Sequence, residues 1–116
     1  MGWMKSDWQL ELKTEFELAT SARARKNEGR ARVCARRAAG VAIREYMARG
    51  GIFIPNASAY DLLIHLTESP EIAPDLKQIC IHLTMRVTDE FKLPLDVDLV
   101  DESSQLCIAL LPDWIP

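Results

Sequence analysis

A chain of 116 residues is about the usual size of one domain, and its 48% apolar and 27% charged residues lie in the ordinary globular range. The net charge of −3 conceals a basic middle: residues 1–22 carry −2, residues 23–49 carry +7, and residues 50–116 carry −8. No apolar run approaches the roughly 18–20 residues of a membrane helix, and residues 1–17 mix Trp, Lys, Asp and Glu unlike a signal peptide. These features predict one cytoplasmic domain over residues 1–116 with no membrane association.

Ser6-Asp7-Trp8-Gln9 has the form of a capping box, and Trp8, Leu12, Phe16 and Ala19 follow at helical spacing. A first helix is therefore predicted from Asp7 to Arg25, broken at Asn27-Glu28-Gly29. A second is predicted from Glu28 to Ala48, with Ala31, Cys34, Ala35, Ala38, Ala42 and Tyr46 as its inner stripe. Gly50-Gly51 supplies the left-handed geometry that ends it. Ile52-Phe53-Ile54-Pro55 is apolar but has no β partner elsewhere, so it reads as a connector.

Ser58 and Asp61 frame a second capping pattern before a short helix carrying Ala59, Leu62, Leu63 and Leu66, which Glu68-Ser69-Pro70 ends. Pro74 suits the first turn of a fourth helix, where its missing N–H costs nothing. Leu76, Ile79, Cys80, Leu83 and Val87 form that helix's stripe, and Pro94 closes the element. Asp98 is positioned to cap a fifth helix with Leu99, Leu106 and Leu110 inward, stopped by Pro112. The expected fold is all-α, an up-down bundle of about five helices.

The candidate chemistry is sparse. Cys34, Cys80 and Cys107 are odd in number, widely spaced and on or beside inner stripes, which points to buried free thiols rather than disulfides or zinc. Asp96, Asp98, Asp101 and Glu102 cluster, but without the spacing or glycine of a calcium loop; helix capping accounts for them better. No metal or cofactor is expected. His65 and His82 are the only histidines; His82 can share a helix face with Arg86, one turn on. Either histidine is read as partly exposed or hydrogen-bonded unless a carboxylate or nucleophile joins it. Trp3, Trp8 and Trp114 sit near the chain ends, suited to covering the ends of the bundle or meeting a partner.

Arginine supplies the most pointed feature. Arg30, Arg37 and Arg44 are seven apart and so lie along one face of the second helix, with Arg23, Arg25, Lys26, Arg32 and Arg36 adding charge near its start. Guanidinium groups suit bidentate phosphate contacts, so the stripe is a candidate surface for a nucleotide or an RNA backbone. The competing reading pairs these arginines with the acidic second half, within the chain or across a dimer. No aromatic residue interleaves with them, which counts against a single-strand stacking surface, and there is no Gly-rich phosphate loop.

In order and texture the chain resembles the HEPN family of small helical bundles. The similarity lies in the small residues Ala19, Ala22 and Ala24 before Gly29, in the run from Arg32 to Arg44, in Ser58-Ala59-Tyr60-Asp61-Leu62-Leu63, and in Phe91-Lys92-Leu93-Pro94 before an acidic last helix. The resemblance implies a helical domain, often a homodimer. Members of one type are metal-independent RNases with Arg, four to six residues, then His. Here the corresponding positions are Ser58, Ala59 and Tyr60 for His65, and Asp75, Leu76 and Lys77 for His82, so that signature is absent. The chain is more similar to non-catalytic members that bind nucleotides or substrates beside nucleotidyltransferases. The expectation is a non-catalytic module that binds a nucleotide or partner protein through Arg30, Arg37 and Arg44. The alternatives are a degenerate RNase using His82 and Arg86, and a plain homodimerisation module.

Overall fold

The computed structural model describes residues 7–85 and 97–114. It is all-α: α1 (Trp8–Ala24), α2 (Glu28–Arg49), α3 (Ala59–Thr67), α4 (Pro74–Thr84) and α5 (Leu99–Leu110). The arrangement is a helical bundle organised around α2, which packs on all four other helices.

Small residues explain that central position. Nine residues of α2 are buried, and six of them are alanine or glycine: Ala31, Ala35, Ala38, Ala39, Gly40 and Ala42. Side chains this short let neighbouring helices approach closely on several sides at once. Beyond Ile43 and Met47 of α2 itself, the larger apolar groups come from the surrounding helices. Leu12 of α1, Leu62, Leu63 and Leu66 of α3, Leu83 of α4, and Leu99 and Leu106 of α5 are buried around it. Burying one leucine contributes about 1.5–3 kcal/mol, so the periphery supplies most of the apolar driving force and α2 supplies the fit.

The helix ends follow local chemistry. Asp7 is the N-cap of α1, its carboxylate accepting from the backbone N–H of Leu10; the expected cap Ser6 lies outside the described residues. α1 ends in a Schellman motif: Asn27 N–H reaches Ala22 O, Lys26 N–H reaches Arg23 O, and Lys26 takes a left-handed φ of 60°. Asn27 then caps α2 by accepting from Arg30 N–H. The break therefore comes from Lys26 and Asn27, while Gly29 belongs to the first turn of α2. The same motif recurs at the other end, where Gly51 adopts φ 80° and Ile52 N–H reaches Met47 O.

Ser58 and Asp61 form a reciprocal capping box at α3. Pro74 occupies the first turn of α4, and Asp98 caps α5 through Val100 and Asp101 N–H. α4 closes at Met85, so the expected continuation through Val87 to Pro94 lies outside the described residues. Residues 52–55 are non-helical and form no strand, as the lack of a β partner required. All three cysteines are buried and unbridged. Burial pushes the Cys80 thiol up to about 11 and the Cys107 thiol up to about 12. Trp114 is buried at one end of the bundle, its ring 6.2 Å from that of Trp8, and the Arg49 guanidinium lies 5.3 Å from the Trp8 ring centre. Trp3 is outside the described residues.

Candidate functional site

The arginines of the basic middle separate into two groups once their surroundings are known. Arg23 closes the α1–α2 corner: it pairs with Glu28 and, 3.1 Å away, with the α5 cap Asp98. Hydrogen bonds to these two carboxylates, Glu28 foremost, raise its pKa further. Arg49 bonds Asp113 at 2.8 Å and Glu45 at 2.9 Å, tying the end of α2 to the turn after α5. Arg36 is half-buried. Its Nε donates to Leu83 O at 2.6 Å and a terminal nitrogen donates to Met85 O at 3.0 Å, so it satisfies carbonyls at the C-terminus of α4. Burial, with a smaller contribution from Arg32, lowers its pKa.

Arg30, Arg37 and Arg44 form the second group. All three are exposed on one side of α2, and none makes an ion pair among the described residues. Arg44 donates one hydrogen bond, to Ala57 O at 3.3 Å. Fourteen residues at the helical rise place Arg30 and Arg44 about 21 Å apart along the axis. The buried Cys34 thiol lies beneath the first two: burial raises its pKa, the Glu15 carboxylate of α1 adds to the rise, and the Arg30 and Arg37 charges oppose it. The exposed Val33 and the half-buried Val41 lie beside them on the same stretch of helix.

His82 is a tie between helices. It is 9% exposed; its Nδ1 lies 2.7 Å from Glu102 Oε1 on α5, and its Nε2 lies 3.1 Å from Gln78 Nε2 one turn back. One tautomer satisfies both contacts, with Nδ1–H donating to the carboxylate and Nε2 accepting from the amide. Both ring nitrogens are thereby engaged. Arg86, its candidate companion, lies outside the described residues. His65 is exposed on α3 and borders a cavity of about 360 Å³ with Tyr46, Ser69 and Glu71.

Of the acidic cluster, Asp98 caps α5 and holds Arg23, Asp101 accepts from Gln105 at 2.7 Å, and Glu102 meets His82. Among the described residues no group of three or more metal-binding side chains converges. A groove of about 1140 Å³ runs between α1 and the start of α5, along Leu10, Phe16, Val100 and Trp114. None of Arg30, Arg37 and Arg44 lines it or the smaller cavity. Among the described residues the arginine face therefore stands apart from both hollows.

One neighbour of that face is invisible in the linear order. Gly40 lies between Arg37 and Arg44, and the start of α3 rests directly on it. A Cβ on Gly40 would sit 2.9 Å from Ala59 Cβ and 3.1 Å from Ala59 Cα. That close approach, with the Arg44–Ala57 bond, brings the first turn of α3, which carries the 56% exposed Tyr60, against α2 between Arg37 and Arg44. The signal was the glycine itself, a residue without evident purpose inside a helix. No family model, no curated protein and no solved structure matches this chain.

Proposed function

We propose that this chain is a non-catalytic, HEPN-like binding module whose α2 face grips an extended, phosphate-bearing ligand through Arg30, Arg37 and Arg44. One observation carries the reading. The basic middle contains arginines engaged in structure (Arg23, Arg36, Arg49) and, in register seven apart, three exposed arginines with no carboxylate partner among the described residues. Three guanidinium groups without an ion-pair partner among the described residues, held along about 21 Å of one helix, offer an array of phosphate donors at fixed spacing. Their position outside both hollows formed by the described residues favours a strand lying along the helix over a mononucleotide enclosed in a pocket, since enclosed ligands need a concave wall.

The experiment is a salt titration of the affinity for a fluorescein-labelled ten-nucleotide RNA, read by anisotropy. For a single strand the slope of log K against log salt is about −0.7 per phosphate neutralised, so three arginines give about −2. Each Arg→Ala substitution at 30, 37 or 44 should reduce that slope by about 0.7 and leave the helical circular dichroism unchanged. A slope near zero, or one that the three substitutions leave intact, would rule out this face as the phosphate contact.

A further inference from the structure

Resting on the phosphate-binding reading of α2, we infer that the ligand is a single-stranded nucleic acid and that one of its bases stacks on the ring of Tyr60.

The inference comes from a juxtaposition that only the tertiary structure creates. Tyr60 is sixteen positions beyond Arg44 in sequence, across the end of α2 and a connector. The contact of Ala59 with Gly40 brings it back to the α2 face, one residue from the point of closest approach. Consecutive Cα atoms are about 3.8 Å apart, so the Tyr60 backbone stands within a single residue of a glycine flanked by Arg37 and Arg44. Arg44 confirms the proximity by bonding Ala57 O at 3.3 Å. Packing elsewhere in the domain does not claim the Tyr60 ring, which is 56% exposed on a helix whose inward face is filled by Leu62, Leu63 and Leu66. The neighbouring acid is engaged: Asp61 accepts from Ser58 N–H at 3.0 Å within the capping box. It is therefore tied to the helix end beside the ring.

A line of cations on α2, with an exposed aromatic residue on the helix turn that rests against it, fits a particular chemistry. Single-strand binders use positive charge to follow the phosphates and aromatic rings to stack bases, tolerating any sequence because every base has a π-face. A paired duplex hides its base faces, so the ring would have nothing to receive. An acidic protein helix would use the arginines but would not require the ring. The 2′-hydroxyl has no identified partner here, so RNA and single-stranded DNA share the chemistry.

Two labelled strands decide the matter: a ten-nucleotide oligoadenylate RNA and a ten-unit ribose-phosphate strand of the same charge without bases. Wild-type protein should bind the base-bearing strand about tenfold more tightly, the order expected of one stacked base. Tyr60→Ala should bind both strands equally while keeping the salt slope, because phosphate contacts remain. Tyr60→Phe should retain the preference. A ten-nucleotide oligodeoxyadenylate bound like the RNA, with the same loss on Tyr60→Ala, extends the support to DNA. Equal wild-type affinity for the base-bearing and baseless strands, still sensitive to Arg37→Ala, would overturn the stacking inference and leave the phosphate reading standing. Failure to bind any strand, with binding to a polyglutamate peptide instead, would overturn both. Tyr60 is exposed, so Tyr60→Ala should keep the wild-type melting temperature, which separates loss of stacking from loss of folding.

Discussion

Arg36 and Arg37 are chemically identical neighbours with opposite surroundings, and that contrast gives the sharpest stability prediction. Replacing Arg36 with methionine keeps an unbranched stem of comparable packing and removes the guanidinium that bridges Leu83 O and Met85 O. A hydrogen bond from a charged donor contributes about 1.5–3 kcal/mol. Two such bonds are offset in part by the desolvation that lowers the Arg36 pKa and by water reaching the half-exposed end of α4. The net loss should be about 2 kcal/mol. In a domain of this size each kcal/mol moves the melting temperature by roughly 4 °C, so Arg36→Met should melt about 8 °C lower. Arg37→Met, on the exposed face, should stay within about 0.5 kcal/mol of wild type. Thermal unfolding followed by circular dichroism at 222 nm measures both. If Arg36→Met melted within 2 °C of wild type (about 0.5 kcal/mol), the division into structural and free arginines would fail, and the functional reading of the stripe would lose its basis.

Two further outcomes follow from packing and burial. Gly40→Ala places a methyl 2.9 Å from Ala59 Cβ. Overpacking of this kind costs about 1–3 kcal/mol against a gain of about 1 kcal/mol in helix propensity, for a net loss of about 1 kcal/mol. Adding Ala59→Gly should recover part of that loss in urea unfolding, and two independent, additive effects would refute the contact. Alkaline pH should destabilise the domain through its thiols. Below about pH 9 the Cys80 and Cys107 thiols hold their protons in both folded and unfolded chains, so their contribution is fully present. Above it the unfolded chain ionises first, while the folded thiols wait until about 11 and about 12. Stability is therefore lost as pH rises through this window, by about 1 kcal/mol per thiol per pH unit. Cys107→Ala should flatten the decline between pH 9 and 10.5 in urea midpoints, and an unaltered slope would contradict the burial.

The helices were legible because capping chemistry and periodicity agree along most of the chain. Ser58 with Asp61, Pro74, Asp98 and Gly50-Gly51 each mark an end that the structure places there. The inner stripes of α2, α4 and α5 were readable for the same reason. What could not be read was partnership. Nothing in the order of residues distinguishes Arg36 from Arg37, since the distinction depends on which flank of α2 receives the end of α4. The tie between His82 and Glu102 joins α4 to α5 across twenty positions, and local spacing offered only Arg86 as a companion. The turn that carries Tyr60 is distant from the arginines in linear order and is brought back against α2 at a glycine whose role is set by a helix nineteen or more residues away. Local rules fix elements; contacts between them require the fold.

The centrality of α2 has a consequence for how the chain matures. α1 and α2 are joined by three residues, and their contact is the most extensive between any two helices. Such a hairpin has short sequence separations and is quick to form. It also leaves the ribosome before α3, α4 and α5 do. Until α3 and α5 are made, the flank of α2 that they will cover stands bare. That flank is lined mostly by Ala35, Ala38, Ala39, Gly40 and Ala42, with Ile43 and Met47 as larger groups toward its far end. A surface made largely of methyl groups offers a stray neighbour less apolar area than a leucine stripe would, which limits the tendency of the half-made domain to aggregate while it waits for its remaining helices.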